Sequence, residues 1–518
     1  MTYAASSRRP RSWSIRTLSV LLGLALALGL AACTPGTSSP TGSGSQPQAE
    51  RTLAVGATLE PASMDPWHNP AASIPQVLLY NVYETLVKVD SAGEIKSLLA
   101  QRWEISPDRL TYTFHLNPAA KFASGNPVDA AAVVANIDRL KADASLTPTL
   151  KAQLAVVSGA TVIDSHQVEI TLLHPSLMWL YDMSSTLGMM LDPSYTGDLS
   201  TTSAGSGPYQ VKSHIQGDSV VLDDNTNYWG NPARFDEVTF RYFSDPNAMN
   251  AAMLSGDLDV ISNLQAPDAL PQFADTSQYT TITGTTNGEV VLGLNNSSKA
   301  LSKLEVRQAL TMAINRKDLL DTVWAGQGTL IGTMSVPTDP WYEDLSGLYP
   351  YDPDKAKAML KDAGYGNGLT LRLRVPEIPY AVKSAQFVAS QLRDIGVKVT
   401  TEELDFTRWL DEVFTKGDYD MTIVAHVEAR DLGKFADKTY YWHYGDAKYA
   451  SMYHAADQAT NEDEGVEGMK AAAHYLAEQC AAIWLFALPN LVITKATVTG
   501  IPQNATTLSF DLTTITNR

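Results

Sequence analysis

Cysteine is almost missing from this chain. Cys33 and Cys480 are the only two in 518 residues, so no disulfide framework is available and stability must come from burial. Positive charge is also scarce: 38 Lys and Arg stand against 56 Asp and Glu, a formal net charge of −18. An acidic balance of this size argues against nucleic acid or an anionic lipid surface as partner. Catalytic signatures are absent too. There is no HExxH, GxSxG, phosphate loop or GxGxxG, and no carboxylate pair is marked for acid–base work. None of the nine histidines has metal-ligand spacing; His426 and His443 stand far apart. The expectation is a non-enzyme with no metal and no cofactor.

What is present begins at the N-terminus. Arg8, Arg9, Arg11 and Arg16 form a basic stretch without an acid, followed by the apolar run "LSVLLGLALALGLAA" at residues 18–32. That run is shorter than the ~20 residues a membrane span needs and reads as an export signal. The next residue is Cys33, and "LAAC" resembles the bacterial lipobox, whose cysteine receives lipid. Removing residues 1–32 takes away four positive charges and no negative one, which moves the net charge from −18 to −22. Residues 33–50, "CTPGTSSPTGSGSQPQAE", read as the lipidated cysteine and a flexible tether. Cys480, in "YLAEQCAAIWLF", reads as a small buried hydrophobe.

The rest is too long for one core, since domains usually stop growing at ~250–300 residues. Strand and helix signals alternate. "LTYTFHL" places Tyr112, Phe114 and Leu116 on one strand face. Asp129 heads a helical pattern with Val133, Ile137 and Leu140 on one side; Asp352, Pro353 and Gly364 mark the two ends of another helix. A helix from about Thr407, a turn at Gly417-Asp418 and a strand from Met421 to Val427 follow in order. The fold class expected is mixed α/β with partly parallel sheets. At the end of that last strand the apolar run gives way to Glu428, Arg430 and Asp431, and the aromatic run "YYWHY" follows at residues 440–444. Ligands of open α/β sheets sit beyond the carboxyl ends of strands, so this is the candidate grip.

Six blocks carry a family likeness: "SMDPW", the stretch from "YNVYETLVKVD" to "VVANIDRL", "SGPYQVKSH", the stretch from "NTNYWGNPARFDEV" to "SGDLDV", "LEVRQALTMAINRKDLL" and "YDPDKAKAMLKDAGY". In that order they resemble the extracellular solute-binding proteins of the peptide and nickel class that serve ABC importers. The resemblance implies two lobes around a central cleft, with an inserted subdomain in the first. It places the first lobe at 51–290, its insert at about 85–200 and its completion at 490–518. The second lobe would span 291–489, with crossing strands near 290–295 and 485–493. It also implies a monomer held outside the cytoplasmic membrane, short peptides as ligands and permease subunits as partners. A sugar, haem or nickel chelate, or a ligand-free regulatory role, stays open. The chain departs from relatives where a Trp-containing loop gives way to Val427-Glu428-Ala429-Arg430-Asp431.

A short peptide offers an ammonium and a carboxylate, and a cleft needs the opposite charges to hold them. Asp431 and Glu428 are candidates for the amine and Arg430 for the carboxylate, against the alternative that Arg430 pairs internally with one of them. In an extended segment Glu428 and Arg430 would share a face. Asn295, Trp409 and Tyr83 are candidates by family position, with Asn296, Tyr80 and Asn81 beside them. The aromatic run at 440–444 reads as packing more readily than as a pocket wall.

Overall fold

The computed structural model describes residues 51–518. The export signal, Cys33 and the tether lie outside the described residues. A ten-stranded mixed sheet runs through the rest. Its order is Val397–Leu404, Leu369–Pro376, Met421–His426, Tyr279–Leu294, Ala482–Lys495, Val260–Ile261, Thr52–Ala57, Glu237–Tyr242, Ser219–Asp224, Tyr209–Ile215. The two long central strands, Tyr279–Leu294 and Ala482–Lys495, are antiparallel and belong to both halves. On one side, Leu369–Pro376 and Val397–Leu404 are parallel and joined by the helix Pro379–Asp394. On the other, Thr52–Ala57 pairs in parallel with both Glu237–Tyr242 and Val260–Ile261.

Each half is covered on both faces because its strands are apolar on both faces. In the second lobe Val290, Leu292 and Leu294 pack with Leu310, Leu319, Val388 and Leu392. Their neighbour Val291 turns the other way, towards Trp409, Trp442, Tyr449 and Trp484. In the first lobe Val238 and Phe240 join Trp67, Tyr83 and Trp179, while Met249, Met253, Leu491 and Ile493 fill the opposite face. This period-2 division lets one strand feed two cores.

The local signals are realised where physical chemistry puts them. The Asp129 side chain caps the helix Ala130–Ala142 by accepting from Ala132 N, and Asp352 caps Pro353–Leu360 by accepting from Lys355 N. Tyr112, Phe114 and Leu116 are the buried positions of Thr111–Leu116. That strand lies in a separate four-stranded antiparallel sheet with Ala100–Ile105, Val157–Asp164 and Gln167–Leu172. The C-terminal tail returns to the first lobe: Asn81 Nδ2 donates to Phe510 O at 2.9 Å and Asn81 Oδ1 accepts from Leu512 N at 2.8 Å.

The ladder between the long strands breaks between Thr285 and Glu289. Residues 290–294 already pair with Met421–His426 inside the second lobe. Pro489, paired with Thr285, stands at the break, where its missing N–H costs least.

Candidate functional site

The strand Met421–His426 delivers the charged cluster to the cleft, and one backbone angle decides where each charge points. Arg430 adopts φ +58°, the left-handed region, so the segment is not extended and Glu428 and Arg430 do not share a face. A tight turn, Asp431–Phe435, follows. The Arg430 guanidinium is thrown outward to the first lobe. It lies 3.9 Å from the centre of the Tyr181 ring and 5.5 Å from Trp341. Its one hydrogen bond among the described residues goes from Nη2 to Gly93 O at 3.3 Å. Glu428 is held by Lys434 at 2.9 Å and accepts from Thr149 Oγ1 of the insert at 3.4 Å. The internal ion pair therefore exists, with Lys434 rather than Arg430 as the cation.

Asp431 points the opposite way, into the interior. It is 6% exposed, and neither carboxylate oxygen has a hydrogen-bond partner among the described residues. Glu289 faces the same region from the first residue after the crossing break, opposite His426 on the neighbouring strand. It is 1% exposed, and its Oε2 is also without a partner among the described residues. Burial, then the charge of Glu428, pushes Asp431 well above the usual carboxylate range, and Lys434 pulls it partly back. Burial, then Asp431 and Asp339, does the same to Glu289. Asp339, which accepts from Val336 N at 3.0 Å, is raised to about 6 by burial. Asp182 is raised to about 7 by burial and then by Asp457. His426 is held neutral: burial, and then Lys434, lowers it to about 3. A buried carboxylate without partners is costly, and two together more so. Such groups either hold a proton or meet a cation from outside the protein.

Three sequence candidates are occupied elsewhere. Asn295 Nδ2 donates to the carbonyls of Gly417 and Tyr419 at 3.2 and 3.0 Å, tying a turn to the crossing strand. Trp409 is buried, stacks on Phe406 and donates from Nε1 to Thr422 Oγ1 at 2.9 Å. Tyr83 is buried edge-on to Trp67, its hydroxyl accepting from Ala204 N at 3.3 Å. Their polar atoms are spent on the fold. The aromatic run packs, as expected: Trp442 stacks on Phe435 with ring centres 4.1 Å apart, and Tyr441, Trp442 and Tyr444 are buried. Glu289, Asp339, Tyr181 and Trp341 escaped the sequence reading. Only Glu289 left a trace there, as a lone acid heading the apolar run "EVVLGL".

The lobes meet firmly around this region. Asp457 Oδ1 accepts from Ser176 Oγ at 3.0 Å and from the backbone N–H groups of Leu177 and Met178 at 3.0 and 3.3 Å. Gly93, at φ +84°, approaches the second lobe so closely that a Cβ there would lie 2.4 Å from Thr338 O. The cleft is shut.

A two-lobed α/β protein, shut around buried charge at the ends of its strands, has the form of a solute receptor. Residues 94–447 match the bacterial extracellular solute-binding proteins, family 5 (middle region), and the chain belongs to that family. It is thus a solute-binding protein of the peptide and nickel class of ABC importers, not an enzyme. Among known proteins it is similar to the glutathione-binding protein GsiB of Salmonella paratyphi A, 29% identical over 372 residues, covering 70% of this chain and 71% of that one. NikA from Brucella suis, solved in complex with Fe(III)-EDTA, has a TM-score of 0.80 at 22% identity, covering 90% of this chain and all of the other. DppA from Helicobacter pylori, solved with the peptide STSA, has a TM-score of 0.77 at 20% identity, covering 90% and 98%. These likenesses bear out the expected family and fold.

Proposed function

We propose that this protein captures short peptides by their free amino terminus, with the ammonium on Asp431, and passes them to an ABC permease. The observation that carries this reading is the buried Asp431 carboxylate with both oxygens unpartnered. An ammonium supplies three N–H donors and the missing charge. Arg430 has one protein hydrogen bond and four further N–H donors to offer a peptide carboxylate. An anionic chelate or a neutral sugar would leave the carboxylates uncompensated, so the charge favours an amine. A peptide is one of the solutes named for relatives of this fold. The test is a calorimetric titration with a tripeptide and its N-acetylated twin. The free peptide is expected to bind more tightly by about 2–4 kcal/mol, the scale for a buried charged partner left unpaired. Equal affinities would refute the assignment.

The tether and its cysteine complete the proposal. Cys33, at the end of the apolar run, is the lipid attachment point that holds the receptor at the outer face of the membrane. More than one acyl chain is needed for stable anchoring. Cys33→Ala should therefore move the protein from the membrane fraction to the soluble one, and a variant still firmly membrane-bound would argue against lipidation.

A further inference from the structure

Six carboxylates gather at the cleft, Asp182, Glu289, Asp339, Glu428, Asp431 and Asp457, the last spent on Ser176 Oγ and the N–H groups of Leu177 and Met178, while among the described residues Arg430 and Lys434 bring positive charge to the others. These groups are linked by their mutual electrostatic influence. Lys434 is committed to Glu428 at 2.9 Å. Arg430 is stacked on Tyr181, from where its charge acts on Asp182 and Asp339. His426, across the ladder from Glu289, is neutral. Asp431 and Glu289 remain, both more than nine-tenths buried, with three oxygens unpartnered between them. One ligand ammonium answers one of these charges and leaves the other. Among the described residues no group of three or more His, Cys, Asp or Glu is arranged to hold a metal ion, so the second charge is to be sought in an organic solute.

We infer that Glu289 is a specificity residue that selects solutes carrying a second positive charge next to the free amine, such as peptides that begin with arginine or lysine. This rests on the reading of Asp431 as the ammonium anchor and adds to it. Asp431 lies just after the strand Met421–His426, and Glu289 lies on the adjacent crossing strand. The two carboxylates therefore approach the ligand from different elements, which suits an α-ammonium and a side-chain cation from one residue. A guanidinium brings up to five N–H donors in a fork suited to carboxylates. A site built around a buried charge rejects an analogue lacking the complement, because the protein group is then left unpaired.

Arginine and citrulline differ little in shape and by one charge, so titration with Arg-Ala-Ala and citrulline-Ala-Ala isolates the effect. The wild-type protein is expected to prefer the arginine peptide by at least about tenfold. Glu289→Gln should reduce that preference to about twofold or less while N-acetylation of Arg-Ala-Ala remains costly. Glu289→Asp, which keeps the charge, should retain much of the preference and guards against a folding defect in the Gln variant. Equal binding of the two peptides by the wild-type protein, or an undiminished preference in Glu289→Gln, overturns the inference. Indifference of the wild-type protein to N-acetylation overturns the anchor reading instead, so the two failures are distinguishable.

Discussion

Asp431→Asn is expected to weaken binding of a free-amine peptide by about thirtyfold to a thousandfold, the equivalent of about 2–4 kcal/mol. The amide keeps the shape of the carboxylate but removes the charge that the ligand neutralises. The same change is expected to raise the melting temperature of the ligand-free protein, by about 1–3 °C. The sign follows from linkage. A carboxyl whose folded-state pKa is raised contributes stability that is complete below its unfolded value near 4 and is lost as pH rises through the raised value. Asp431 is such a group, so ionising it as the pH rises opposes the folded form. A residue with a structural role would behave in the opposite way, with a lower melting temperature and affinity little changed. Calorimetry alongside a thermal melt separates the two, and a destabilised variant with full affinity would end the binding role of Asp431.

Acidification should have a comparably large effect. The bound state needs Asp431 and Glu289 ionised, whereas burial and mutual repulsion favour their protonated forms. Around them, Asp339 is raised to about 6 and Asp182 to about 7, and Glu428 adds repulsion. Lys434 stays charged across this range, and the phenols of Tyr440, Tyr441, Tyr449 and Tyr453, which feel Asp431, stay neutral. His426 is already neutral and adds no step. Affinity is therefore expected to fall from pH 7 to pH 5, where a peptide amine remains protonated, with a limiting slope of about tenfold per pH unit for each proton taken up. Titrations at half-unit intervals check this, and a flat profile would show that the carboxylates do not carry the ligand's charge.

Much of the fold was legible because its signals are local. A capping aspartate, a proline at the first helical turn and a two-residue alternation each act within a few residues, and Asp129, Asp352-Pro353 and Tyr112/Phe114/Leu116 sit where those rules put them. The strand ending at His426 was legible for the same reason, and with it the neighbourhood of the site. The identity of the gripping groups was less so. The left-handed turn at Arg430 separates side chains that an extended reading places together. Lys434 takes Glu428 through a turn whose shape has no period to read. Glu289 and Asp339 come to the site from distant segments, and burial rather than residue type makes them unusual. Asn295 and Trp409 were less legible because a polar atom can serve the fold as readily as a ligand: Asn295 Nδ2 donates to the carbonyl of Tyr419 and Trp409 Nε1 to the hydroxyl of Thr422.

The central claim is that the Asp431 carboxylate and the ligand's ammonium are partners in a shut cleft, and a four-way titration tests it most directly. Wild-type protein and Asp431→Asn are each titrated with a free tripeptide and with its N-acetylated form. Direct partners couple, typically by about 0.5–3 kcal/mol, whereas independent changes add. The expected result is that acetylation costs the wild-type protein heavily and the variant little, so that both changes together cost scarcely more than either alone. Additive losses, with acetylation as costly to the variant as to the wild type, would place the amine elsewhere and contradict the account.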